Sequence, residues 1–203
     1  MACPCCACRI CYASFSSITA AAATGVIAVD KGQISINISG GPIVARTATA
    51  TQYLRGFSGS AYDWPCLTTP GSNSVVALKE ESEDAAYEIA LSAPASRIVM
   101  PIISLGAFLR PGPKLPPLVN KSVTWQFSEE LSIYSQGAHT FFGQCEQPGQ
   151  CLQGAGATLT GLEGSGIIQF TGEISALTLS VVGASENYNA FGIGIPCETN
   201  PLP

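Results

Sequence analysis

The chain has 203 residues, of which 46% are hydrophobic, so it is long enough to bury one large core. Charged residues make up 11% of it, against about 25% in an average globular protein, and the formal net charge is −5. Nine Lys and Arg residues without a cluster cannot neutralise a run of phosphates, so we expect no nucleic-acid partner. The uncharged apolar stretches are shorter than the roughly 20 residues of a membrane helix, so no membrane span is expected.

The N-terminal segment is rich in cysteine and serine. Five of the nine cysteines lie in its first thirteen residues: Cys3, Cys5, Cys6, Cys8 and Cys11. Their C-x₂-C spacings suit zinc or an iron–sulfur cluster, but three overlapping pairs are less specific than one pair with a distant partner. Because residues 1–24 show no regular apolar face, we expect an irregular arm that contacts a neighbouring subunit or a larger particle. The alternative is a leader cut after the alanines at 20–23.

From residue 25 onward the hydrophobic pattern has mostly period two, and turn residues interrupt it at short intervals. It predicts about eleven short strands. The candidate segments are Val26 to Val29, Gln33 to Ile38, Ile43 to Thr51, Ser74 to Lys79, Ala86 to Ser92, Ile98 to Leu105, Ser122 to Phe127, Leu131 to Tyr134, Ala157 to Leu162, Ile167 to Ile174, Leu177 to Val182 and Phe191 to Ile195. The pattern favours an all-β chain, with residues 25–203 as a single antiparallel β-sandwich of jelly-roll type.

Two connections are expected to be tight hairpins. The first is Asp30-Lys31-Gly32, between two runs of alternating residues. The second is the short "GEIS" stretch between Ile167 to Ile174 and Leu177 to Val182, which we expect to join two long paired strands.

Residues 98–195 carry several short motifs. They are Ser104-Leu105, the "TWQFS" run Thr124 to Ser128, the "EGSGIIQFTG" run Glu163 to Gly172, and Phe191-Gly192. In these motifs the chain resembles a loosely defined group of β-sandwich domains found in secreted bacterial proteins and in phage virion proteins. The resemblance implies a β-sandwich fold and brings no catalytic residues with it.

A disulfide is expected between Cys145 and Cys151, in "CEQPGQC". The intervening Pro148-Gly149 suits a type II turn, which brings the two ends to bonding distance. The alternative is two free thiols in a surface loop. With nine cysteines, at least one is unpaired or pairs with another chain.

Aromatic residues supply one candidate ligand site. Tyr62, Asp63 and Trp64 lie together in "FSGSAYDWP", where the rings could stack on a sugar and the carboxylate could accept hydroxyl hydrogen bonds. The competing interpretation is that both rings pack beneath the loop as a small core. Trp125 is expected in the main core.

The residues for catalysis are few. His139 is the single histidine, and no G-x-S-x-G motif accompanies it. Glu129, Glu130 and Glu163 are the carboxylates that a glycosidase could use, but no facing pair is evident. The acidic run at 80–84 could bind calcium, although it lacks the spacing of an EF-hand. We therefore expect no enzyme activity and no cofactor.

Two functions fit these features. The first is a non-catalytic structural protein of a virus particle, a decoration or surface subunit on the virion that associates with copies of itself and with a larger shell. The alternative is a secreted bacterial module, extracellular or on the cell surface, that binds carbohydrate.

Overall fold

A computed structural model describes residues 9–43, 74–79, 85–108, 120–136, 151–162, 164–182 and 188–198. Strands dominate these ranges, which contain no α-helix and hence no helix that could cross a bilayer. The strands are β1 (Ile10–Ile18), β2 (Ala22–Val29), β3 (Gly32–Gly40), β4 (Val75–Lys79), β5 (Ala86–Ser96), β6 (Val99–Leu105), β7 (Ala107–Phe108), β8 (Asn120–Lys121), β9 (Val123–Phe127), β10 (Leu131–Gln136), β11 (Leu152–Ala155), β12 (Thr158–Gly161), β13 (Gly164–Phe170), β14 (Glu173–Val182), β15 (Tyr188–Gly192) and β16 (Gly194–Pro196). The prediction of an all-β chain is confirmed.

Nearly all strands belong to one curled antiparallel sheet. Its order is β10-β13-β6-β16-β1-β2-β3-β5-β14-β9-β12-β11, with β15 and β4 attached beside β6. We call the strands before β1 in this order, with β15 and β4, the β6 half, and the strands after it the β3 half. The two ends of the order meet, since the Leu131 N–H of β10 donates to the Gly156 carbonyl beside β11 at 2.9 Å. The sheet therefore curls around a central core.

Alternation of side chains builds this core. In β3, Ile34, Ile36 and Ile38 are buried while the residues between them are exposed, as a strand with one face inward requires. Trp125 lies fully buried at the centre, with edge-to-face contacts to Phe127 at 6.2 Å and Phe191 at 5.9 Å between ring centroids. The prediction of Trp125 in the core is confirmed.

The prediction of an irregular N-terminal arm is wrong for residues 10–24. β1 lies inside the sheet, between β16 and β2, and its Ala13 and Phe15 side chains are buried in the core. A bulge between Phe15 and Ser17 exposes two successive serines and breaks the period-two pattern. That break, together with the many small polar residues, hid the strand. Residues 1–8 lie outside the described ranges.

The hairpin at Asp30-Lys31-Gly32 is confirmed, with Val29 paired to Gly32 across a two-residue turn. The second expected hairpin is wrong. β13 pairs with β6 and β10, whereas β14 pairs with β5 and β9, so the strands joined by Thr171-Gly172 do not pair with each other. The described ranges also hold more strands than the expected eleven, because β1, β11 and the two-residue strands β7 and β8 were not predicted and Phe191 to Ile195 divides between β15 and β16. The strand predicted at Ile43 to Thr51 lies outside the described ranges apart from Ile43.

The connection at 171–172 is one of two bends that run side by side. β5 ends at Ser96 and β6 begins at Val99, and these strands also lie in different halves of the sheet. Ser96 pairs with Glu173 on one side of the bend, and Val99 pairs with Gln169 on the other. The Phe170 N–H donates to the Ile98 carbonyl between them at 2.9 Å. A two-stranded ribbon thus passes from one half of the sheet to the other.

Tyr12 gives the fold a pH dependence at high pH. Its ring lies against Gly194 of β16, where an added Cβ would come within 2.7 Å of the ring. Burial raises the pKa of the Tyr12 phenol well above its ordinary value near 10. The unfolded chain therefore loses this proton from about pH 10 upward while the folded chain keeps it, so the contribution to stability is complete below about pH 10 and falls above it.

We accordingly expect Tyr12→Phe to lose less stability than the wild type between about pH 9 and pH 11. Urea unfolding of both proteins across this range would measure it. Parallel alkaline losses in the two proteins would contradict the role given to Tyr12.

Candidate functional site

The outward side of the β3 half, with β1, is a broad exposed surface, here called the open face. Its side chains alternate with the core residues of the same strands. It comprises Ser14 and Ser16 of β1; Thr24, Val26 and Ala28 of β2; Gln33, Ser35, Asn37 and Ser39 of β3; Ala86, Glu88, Ala90 and Ser92 of β5; Ala176, Thr178, Ser180 and Val182 of β14; Thr124 and Gln126 of β9; Thr158 and Thr160 of β12; and Gln153 and Ala155 of β11.

Hydroxyl, amide and small apolar groups make up nearly all of this face. Glu88 is the one charged side chain among the residues that define it. Its direct cross-strand neighbours are Ser39 on β3 and Thr178 on β14, and neither carries charge. Such a surface suits a neutral partner whose polar groups can exchange hydrogen bonds with it, and it offers little attraction to a highly charged one.

Hydrogen bonds between neighbouring strands fix several of these hydroxyls. The Thr124 and Thr160 hydroxyl oxygens are 2.9 Å apart and share one hydrogen bond. Ser92 Oγ accepts from the Ser35 N–H at 2.9 Å. At the end of β9, Ser128 Oγ accepts from the Thr178 N–H at 3.1 Å, and the Ser128 N–H donates to the Thr178 carbonyl at 3.1 Å. The face is therefore held in place by its own side chains as well as by the strand ladder.

The outward side of the β6 half is different, because most of its described residues are buried, with Ser132 and Tyr134 of β10 exposed at its edge. Every residue of β13 is buried, so this strand has no exposed face. A second hydrophobic cluster, separate from the main core, lies here: Val75, Val99, Ile103, Ile167 and Ala190, with Ile10 and Ala77 packed against it. Among the described residues, the open face is thus the broader exposed side of the sheet.

A second polar cluster ties the start of β1 to the end of β16. Cys11 and Cys197 form a disulfide with a Cα–Cα distance of 5.0 Å across 186 residues of sequence. The Cys197 N–H donates to the Arg9 carbonyl at 2.7 Å, and the Asp30 N–H donates to the Cys197 carbonyl at 3.1 Å. The Arg9 side chain donates hydrogen bonds to both Cys197 and Asp30. Its Nε lies 3.3 Å from Cys197 Sγ, and its Nη2 lies 3.0 Å from Asp30 Oδ1. We call this group the clasp.

The clasp was not predicted, although its two cysteines are visible in the sequence. The N-terminal cysteines were grouped with one another because they are close in sequence, and Cys197 was left without a partner. As half of a disulfide, Cys11 cannot serve as a thiolate ligand for a metal. Among the described residues, no group of three or more His, Cys, Asp or Glu side chains is placed to hold a metal ion.

The other expected site residues fall mostly outside the described ranges. Cys151 is buried and disulfide-bonded, but Cys145 lies outside, so their pairing stays a prediction. The proposed sugar contacts Tyr62, Asp63 and Trp64 also lie outside, as do His139, Glu163 and the acidic run at 80–84. Glu129 and Glu130 are exposed at the break between β9 and β10.

The open face and the clasp are therefore the two features of the described structure with the clearest bearing on function. Comparison of the chain with protein-family models, with curated proteins and with solved structures finds no match to any of them.

Proposed function

We propose that the protein is a non-catalytic structural subunit of a virus particle, with a jelly-roll β-sandwich fold, displayed on the virion surface. It acts by associating through the open face with copies of itself and with a larger shell. The observation that carries the proposal is the breadth and near-neutral chemistry of that face. The sequence resemblance to domains of phage virion proteins favours the same function.

The size of the open face supports a role in assembly. Eight strands at a spacing of about 4.8 Å give it a width of about 38 Å along the curled sheet, and strands of four to eleven residues give lengths of about 13–36 Å. These dimensions are of the order of the roughly 800 Å² that each partner contributes to a specific interface. A face held by its own cross-strand hydrogen bonds also loses little conformational entropy when it is covered.

The alternative, a secreted bacterial module that binds carbohydrate, is favoured by the clasp disulfide. Disulfides persist mainly in oxidising surroundings, such as the extracellular space. A neutral face of hydroxyl and amide groups could also exchange hydrogen bonds with sugar hydroxyls. In this alternative Tyr62, Asp63 and Trp64 would supply the aromatic platform.

A charge placed on the open face tests the assembly proposal. We expect Asn37→Arg and Gln126→Arg each to weaken association on the order of 100-fold or more, because neither position has a charged residue directly opposite it and an uncompensated charge buried in an interface costs about 3 kcal/mol or more. Light scattering of the full chain over a range of concentrations, alone and with the particle fraction of its source, measures this. The matched control is Ser132→Arg, an exposed position on β10 outside the open face, which should associate like the wild type.

Two results would overturn the proposal. One is a wild-type chain that stays monomeric at high concentration and does not bind particles. The other is association that the two open-face variants leave unchanged. Binding of a glycan array by such a monomer, lost in Tyr62→Ala or Trp64→Ala, would establish the carbohydrate-binding alternative instead.

A further inference from the structure

The two cysteine residues of the clasp differ in their exposure to solvent. Cys197 is fully buried, whereas Cys11 is partly exposed at the edge of the core. In thiol–disulfide exchange a thiolate attacks one sulfur of the disulfide and the other sulfur departs, so the accessible sulfur is the one attacked. Access from solvent therefore selects Cys11 for attack and Cys197 for departure.

The charge around the clasp selects the same direction. Arg9 Nε donates to Cys197 Sγ at 3.3 Å, so the positive charge of the guanidinium lies beside the sulfur that would depart. The backbone bond from the Cys197 N–H to the Arg9 carbonyl holds the two residues together. Asp30 binds the other end of the guanidinium, at Nη2, and so orients it. A neighbouring cation stabilises a thiolate, and a stabilised thiolate leaves more readily.

We propose that the clasp is a thiol-exchange site that opens and closes through Cys11, with Cys197 as the thiolate that Arg9 stabilises. On opening, an incoming thiolate forms a bond to Cys11 Sγ, the Cys11–Cys197 bond breaks, and its electron pair leaves on Cys197 Sγ. On closing, the Cys197 thiolate attacks Cys11 in the mixed disulfide and expels the incoming thiol as its thiolate. Each step exchanges one disulfide for another, so no electron is gained or lost. This inference does not depend on the proposed function.

The position of the bond in the mixed product is the first test. The oxidised full-length protein is incubated with glutathione for increasing times, and each sample is quenched with excess iodoacetamide, which alkylates the departing thiolate and prevents reclosure. The peptides are then mapped by mass spectrometry. We expect glutathione on Cys11 and the alkyl group on Cys197. The reverse labelling, or an equal mixture of the two, would overturn the proposal.

The rate of opening is the second test. Arg9→Gln should open more slowly than the wild type, on the order of threefold, because Cys197 then leaves without a cation beside it. Asp30→Asn is the matched control: it removes the ion pair but keeps the Arg9 side chain, and it should open at least as fast as the wild type. Added salt should slow the wild type and Asp30→Asn but leave Arg9→Gln unaffected.

Three outcomes would contradict this role of Arg9. They are equal rates for Arg9→Gln and the wild type, an equal slowing of Asp30→Asn and Arg9→Gln, and, in a variant with serine at the four N-terminal cysteine positions 3, 5, 6 and 8, a rate independent of glutathione concentration. The last would mean that fraying of the strand ends limits the opening and that the chemistry at the sulfurs does not. Circular dichroism of each variant before the reaction shows whether it is folded.

Two further experiments identify the source of the attacking thiolate. Four cysteines precede Arg9 in the sequence: Cys3, Cys5, Cys6 and Cys8. If they supply the thiolate, the wild type opens without glutathione and a variant with serine at all four positions does not. If both proteins open only with glutathione, the thiolate is external. Either pattern supports exchange at Cys11, whereas failure of both proteins to open with glutathione would overturn it.

Discussion

The double variant Cys11→Ala/Cys197→Ala is expected to lose about 5 kcal/mol of unfolding free energy relative to the oxidised wild type. The disulfide closes a loop of 186 residues, and cross-linking a loop of this length restricts the unfolded chain by about that amount. For a domain of this size the melting temperature should fall by about 10–20 °C. The double variant is preferred to a single one because an unpaired Cys11 could pair with another of the N-terminal cysteines.

Thermal unfolding followed by circular dichroism measures this effect. Arg9→Gln is the matched control, since it changes an exposed residue of the same cluster and leaves the disulfide in place. Exposed ion pairs contribute about 1 kcal/mol or less, so its melting temperature should stay close to that of the wild type. A double variant that melts within about 3 °C of the wild type would show that β1 and β16 are held by their ladder alone.

Trp125→Ala is expected to cost about 3–5 kcal/mol of stability, because it leaves a cavity at the centre of the curled sheet and removes both edge-to-face contacts, to Phe127 and to Phe191. The neighbouring residue provides the control. Gln126 lies on the same strand but on the open face, opposite Ser180 and Thr158, so Gln126→Ala should change stability by about 0.5 kcal/mol or less.

Urea unfolding of both variants, followed by far-UV circular dichroism, gives the comparison. Equal midpoints for the two variants would contradict the assignment of opposite faces to these adjacent residues. A loss for Trp125→Ala much smaller than about 3 kcal/mol would mean that neighbouring side chains collapse into the space.

Several strands that the sequence predicted correctly have one face in the core and the other exposed. β3 is an example, because Ile34, Ile36 and Ile38 alternate with polar residues and a two-residue turn precedes them. β1 escaped prediction because its bulge places Ser16 and Ser17 in succession on the exposed side. The hydrophobic pattern of one segment cannot reveal such a bulge, because the bulge is a shift in the pairing register with the partner strand β2.

Which strands pair was harder to predict than where they lie. The connection at Thr171-Gly172 was interpreted as a hairpin, because a short break between two alternating runs usually joins adjacent strands. Here the break is a bend from one half of the sheet to the other. Its geometry depends on the neighbouring bend between Ser96 and Val99, some seventy residues earlier in the chain.

The same limit applies to the candidate sites. The open face needs the pairing of eight strands before its residues become neighbours, so its extent could not be predicted from any one segment. The clasp joins Cys11 to Cys197 across almost the whole sequence, and the spacing of cysteines near the N-terminus pointed to different partners. Both the open face and the clasp are formed by contacts between residues that are distant in sequence, so a local sequence pattern could not predict them.

The place of β1 between β2 and β16 also affects the order of events during synthesis of the chain. β1 can pair with β2 as soon as both have left the ribosome, since these strands are adjacent in sequence. Its other edge must wait for Gly194–Pro196, which are made last among the strands described. Until then the edge at Ile10–Tyr12 is open, and pairing over such a sequence separation is intrinsically slow. This edge of the nascent protein therefore stays exposed to aggregation until β16 is added.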